Sequence, residues 1–145
     1  MPLIKISVKI NKPVKEVYKA YVDPKIMVKW MSYLEKFECN QEDFGKIGAI
    51  AYCHYNQNGR KYIMEDKLEY LDPEKKIIST VSGNGLKAKV ETIFNSFNDK
   101  TEIVMIWIGK GKNLLLIILL PFLKNKIKKQ AQGELDKFKR LVESN

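Results

Sequence analysis

The stretch LLLIILLPFLKNKIKKQAQGELDKFKRLVESN, Leu114 to Asn145, decides the fold. It opens on ten nearly unbroken apolar residues, Leu114 to Leu123, with Pro121 among them. Ile127, Ala131, Leu135, Phe138, Leu141 and Val142 then recur at intervals of three and four, while Lys124, Lys128, Lys129, Lys139 and Arg140 fall on other faces. That spacing predicts a long helix that closes a domain, packing one face and solvating the rest. The apolar opening is too short to span a bilayer, which takes about 20 apolar residues, and it reads as a buried or interfacial helix start.

Working back from this helix, the pattern is that of strands. Turn signals at Gly45, Asn58-Gly59, Asp72-Pro73, Gly83-Asn84-Gly85 and Asn98-Asp99 divide the middle of the chain. Asn58-Gly59 is the strongest, because a tight primed hairpin turn needs positive φ at both central residues. The strands between them are expected at Leu34–Glu42, Gly48–Asn56, Arg60–Leu71, Lys76–Ser82, Leu86–Phe97 and Thr101–Gly109. Upstream, Leu3 to Ile10 alternates with period two, placing Ile4, Ile6, Val8 and Ile10 on one face. Pro13 opens a short helix through Val14, Val17, Tyr18 and Tyr21, and Asp23 caps a second that reaches Trp30. The order is strand, two short helices, six hairpin-linked strands, long helix: an α+β fold with a curved antiparallel sheet of seven strands whose apolar face the last helix covers.

Length and composition agree with this. A chain of 145 residues without a Pro/Ser/Gly-rich linker fits one domain, residues 1–145. Its 45% apolar content suffices for a core. The net charge of +9 is concentrated late, with nine basic against three acidic residues from Lys110 onward. A charge distribution of this kind speaks to association and not to fold. Cys39 and Cys53 carry no partner motif and the N-terminus lacks a charged-then-apolar leader, so a cytoplasmic protein with reduced thiols is expected. Two cysteines and one histidine cannot complete a structural zinc site without carboxylates; neither a metal nor a cofactor is expected.

Three segments together resemble the START-like helix-grip superfamily (SRPBCC), in particular its small polyketide cyclase/dehydrase-type members from bacteria and archaea: NKPVKEVYKAYVDPKIMVKW at Asn11–Trp30, YLDPEKKI at Tyr70–Ile77, and PFLKNKIKKQAQGELDKFKRLVES at Pro121–Ser144. The resemblance spans nearly the whole chain. It implies a deep pocket between sheet and long helix that holds a hydrophobic or amphipathic small molecule. It does not set the function, since the superfamily includes lipid carriers, hormone receptors, aromatase/cyclases and chaperone regulators. No family acid, base or nucleophile maps residue by residue onto this sequence.

Candidate residues for chemistry are few. His54, the only histidine, shares its strand face with Ile50, Tyr52 and Asn56 and reads as a surface or rim residue. Asp66 stands with Tyr62, Met64, Leu68 and Tyr70 on a mostly apolar face, where an unpaired carboxyl is costly; it must be satisfied by a hydroxyl or cation, or take a raised pKa and anchor a ligand. Trp30, Tyr33, Phe37, Phe94, Met105 and Trp107 are the apolar residues suited to a pocket wall. The ligand-binding set is therefore Trp30, Tyr33, Phe37, Tyr62, Met64, Asp66, Phe94, Met105 and Trp107, with no catalytic residue assigned. Gly109-Lys110-Gly111-Lys112 lacks phosphate-loop spacing and reads as a strand-to-helix hinge.

These readings favour binding or transport of a lipid, polyketide-like or isoprenoid molecule. The alternative is a cyclase or dehydratase working on a polyketide-like substrate in the same cavity, with Asp66, a tyrosine hydroxyl or His54 moving a proton. Third comes a basic surface module. For it, weak contact of the Leu114–Lys129 region with an anionic membrane is the expected partner. Nucleic acid is not, because no zinc-finger or RNP-type pattern is present and lysines far outnumber arginines.

Overall fold

The computed structural model describes residues 3–111 and 114–144. Strand β1, Leu3–Ile10, leads into helices α1, Val14–Tyr21, and α2, Pro24–Trp30. Strands β2 (Leu34–Glu38), β3 (Ile50–Gln57), β4 (Arg60–Asp72), β5 (Lys76–Gly83), β6 (Leu86–Phe97) and β7 (Lys100–Gly111) follow, and α3, Leu114–Glu143, ends the chain. All seven strands form one antiparallel sheet in the order β1-β7-β6-β5-β4-β3-β2. This is the helix-grip arrangement expected from the sequence. The first strand pairs with the last, and α1 and α2 carry the chain from β1 at one edge of the sheet to β2 at the other, α1 packing on β6 and β7 and α2 on β2.

Local chemistry sets the boundaries. The Asp23 side chain accepts the Lys25 amide at 2.9 Å and caps α2, with Pro24 at its first position. At Asn58 (φ 54°) and Gly59 (φ 94°) both residues of the β3–β4 turn are left-handed, as a primed turn requires. β2 stops at Glu38, four residues short of the expected Glu42. The reason is Asn40: its side chain accepts the Glu42 amide at 3.1 Å and its carbonyl accepts the Asp43 and Phe44 amides at 3.0 Å, drawing the backbone into consecutive turns.

The core lies where α3 crosses β1. Ile4, Ile6, Val8 and Ile10 alternate inward and meet Leu135, Phe138 and Val142 of α3, with Val17, Trp30, Phe94 and Ile103 completing the cluster. The helix stripe read from the sequence thus packs through its C-terminal half. Side chains of residues 110–120 lie outside the described residues, and with them the expected burial of Leu114–Leu120; Lys112 of the expected hinge lies outside them too. Among the described residues, no helix is long and apolar enough to cross a membrane.

Candidate functional site

While α3 packs tightly through Leu135, Phe138 and Val142, the stretch from Ile127 to Glu134 spans the sheet without filling the space beneath. A cavity of about 540 Å³ remains there, within the range of small-molecule sites. Strand parity determines its floor. Ile4, Trp107, Val90 and Ser79 form one cross-strand row, and Ile6, Met105, Thr92 and Ile77 the next. A third row sets Asp66 between Ala51 and Val81. Ile127, Gln130, Ala131 and Glu134 of α3 form the roof, and Tyr18, Tyr21, Trp30 and Met31 close the end toward α1 and α2.

Eight of the nine expected site residues line this cavity: Trp30, Tyr33, Phe37, Tyr62, Met64, Asp66, Met105 and Trp107. Phe94 does not. It shares the inward parity of Thr92, but the rings of Tyr18 and Tyr21 meet it edge-on at 5.5 and 5.4 Å and seal it into the core. Tyr70 also departs from the face expected of it. The β4–β5 register shifts between Leu68 and Tyr70, so Leu71 takes the cavity side and Tyr70 is turned outward, 44% exposed. His54 lies outside the cavity, on the outer side of the sheet, with Nε2 3.0 Å from Glu38 Oε1.

The position of Trp107 depends on a glycine. A Cβ on Gly109 would overlap the Trp107 ring, so the bare backbone there is what lets the indole lie along its own strand. Trp30 is 5% exposed, its ring 5.5 Å from Tyr21 and 5.2 Å from Phe138; among the described residues its indole N–H has no hydrogen-bond partner. Tyr55 and Tyr62 stack at 5.2 Å with their planes 15° apart.

Several polar groups of the cavity are paired. The Asp66 carboxyl is bonded by the Ser79 hydroxyl, the diagonal neighbour on β5; burial nevertheless raises its pKa above the ordinary carboxylate value. Glu134 descends from α3, bonded by Ser32 and by Gln130 Nε2 at 3.3 Å, and burial raises it as well. The Tyr21 hydroxyl lies 3.1 Å from that of Thr92 and is pushed up to about 12, first by burial and then by the fields of Asp66 and Glu134. Burial, followed by nearby acidic groups that include Glu134 and Asp66, raises Tyr55 too. At neutral pH these phenols keep their protons and serve as donors. Burial also holds Cys53 protonated, up at about 12.

Sequence reading missed Glu134, Tyr21, Tyr55, Thr92 and Ser79. Glu134 follows Ile127 and Ala131 at helical spacing and precedes Phe138 by four, so its place on the inner stripe was readable. Tyr55 shares the parity of Ala51 and Cys53. Ser79 and Thr92 carried no signal, since their inward direction follows only from the pairing register.

A family model described as Activator of Hsp90 ATPase homolog 1-like protein matches residues 11–117. Comparison with curated proteins gives no match. Among solved structures, a conserved protein from Geobacillus kaustophilus superposes with a TM-score of 0.76 at 15% identity, over 97% of this chain and 94% of its own. Ara h 8.0201 does so with a TM-score of 0.74 at 17% identity, over 99% and 98%. DynU16, from the dynemicin biosynthetic locus, gives 0.73 at 15% identity, over 99% of this chain and 48% of its own. At these identities the likeness shows the fold alone. The family match covers most of the chain on a START-like helix-grip architecture, and the protein belongs to the family of Activator of Hsp90 ATPase homolog 1-like proteins.

Proposed function

We propose that this protein, acting as one domain, binds a hydrophobic or amphipathic small molecule, of lipid, polyketide-like or isoprenoid size, in the cavity between sheet and α3. The observation that carries the reading is the cavity itself: about 540 Å³ walled mainly by apolar and aromatic side chains, with a few oriented polar groups. A space of that size left open between well-packed elements forgoes dispersion contacts on every wall, and a ligand restores them. A cyclase-type reaction is less well supported. Of the groups named for it, His54 lies outside the cavity and phenols with raised pKa values do not act as bases near neutral pH, which leaves Asp66. The free thiols Cys39 and Cys53 support a reducing compartment such as the cytoplasm.

Titration with N-phenyl-1-naphthylamine, a neutral probe that fluoresces in apolar surroundings, tests the binding reading. The expected result is saturable one-to-one enhancement with a roughly micromolar Kd. A linear, unsaturable signal overturns it. Native mass spectrometry of protein purified from its own host then identifies what co-purifies.

A further inference from the structure

Given that the cavity is a ligand site, its polar groups constrain the ligand's head. We infer that the ligand presents a hydrogen-bond donor, an amine or hydroxyl on an apolar body, and that carboxylates, phosphates and sulfonates are excluded. The chain carries a net charge of +9, yet among the described residues no lysine, arginine or histidine lines the cavity, and the carboxylic acids that do are Asp66 and Glu134. Among the described residues Asp66 has the Ser79 hydroxyl as hydrogen-bond partner. An ionised carboxylate accepts about four bonds, so acceptor positions stay open to a ligand. Arg60 comes near but stays outside: it is exposed, lies 5.8 Å from the Tyr62 ring centroid, and is bonded to Asn84 Oδ1 at 3.3 Å.

An anionic head entering this space loses its hydration, finds only neutral donors such as the Tyr21 and Tyr55 hydroxyls and no cation among the described residues, and faces two acidic groups. A donor head meets the reverse. It fills the open acceptor positions of Asp66, and an ammonium adds attraction to the charge of Glu134 and to the π faces of the surrounding tyrosines and tryptophans. The exterior pulls the other way, since a surface of net positive charge gathers anions. Preference for an amine must therefore come from the interior.

The test is competition against bound N-phenyl-1-naphthylamine by three probes that share one ring system: 2-naphthylmethylamine, 2-naphthalenemethanol and 2-naphthoate. It is run near 0.15 M salt, where the Debye length of about 8 Å screens the exterior. The amine and the alcohol are expected to compete at least about tenfold more tightly than the naphthoate. In the Asp66→Asn, Glu134→Gln double variant the amine-to-naphthoate ratio is expected to fall toward unity; both changes are isosteric, and circular dichroism checks the fold. The wild-type ratio is decisive even if that variant does not fold. Naphthoate binding as tightly as the amine, or a ratio unmoved in a folded double variant, overturns the inference while leaving the binding reading intact. Absence of N-phenyl-1-naphthylamine binding removes both.

Discussion

Asp66 bears a burial cost in the folded protein. Burial raises its carboxyl pKa, only partly offset by the Ser79 hydrogen bond, so the folded state binds a proton more readily than the unfolded chain does. The sign follows directly. This contribution favours folding at pH below the ordinary carboxylate value and is lost as pH rises through the raised one; Glu134 acts in the same direction. Asp66→Asn is therefore expected to raise the Tm of the ligand-free protein at pH 7 by about 2–4 °C and to flatten its acid-side pH dependence. Thermal unfolding followed by circular dichroism from pH 4 to 8 reads both effects, and a lower Tm at pH 7 counts against them. Sequence parity alone was enough to set Asp66 facing inward. Its partner was not legible, because Ser79 meets it only through the β4–β5 register.

At the scale of elements, α3 does two jobs along 30 residues. Leu135, Phe138 and Val142 are core, while Ile127, Ala131 and Glu134, in the two turns before them, roof the cavity. Gly133 lies beside the roof on the exposed face, and a Cβ built there meets nothing within 4 Å. A glycine inside a helix gives up more backbone entropy than alanine does, so Gly133→Ala is expected to stabilise the protein by about 0.5–1 kcal/mol. A urea midpoint shifted upward at unchanged slope is the sign of it. Where strand readings departed from the structure, the cause was local: the Asn40 turns shorten β2, and the register shift after Leu68 inverts the parity of Tyr70. Alternation is a faithful guide only while pairing stays regular.

At the scale of the whole molecule, the exposed side of α3 pairs Phe122, 82% exposed, with Leu123 and with lysines 124, 126, 128 and 129. Helix geometry spreads those lysines around the axis, so only some can face a surface together, each worth about 1 kcal/mol. The expected outcome is weak co-sedimentation with phosphatidylserine vesicles at low salt, abolished by high salt and reduced severalfold by Phe122→Ser. Pelleting no greater than with neutral vesicles rules the contact out. The sequence by itself determined the order of elements, the inward faces of β1 and of β4 as far as Leu68, and the long closing helix, because periodicity and turn chemistry are properties of neighbouring residues. Only the tertiary structure decided that Phe94 belongs to the core, that Glu134 faces Asp66's cavity, and that among the described residues no cation accompanies them there. Those facts depend on which strands pair in which register and where the helix crosses the sheet, and short-range patterns carry no record of either.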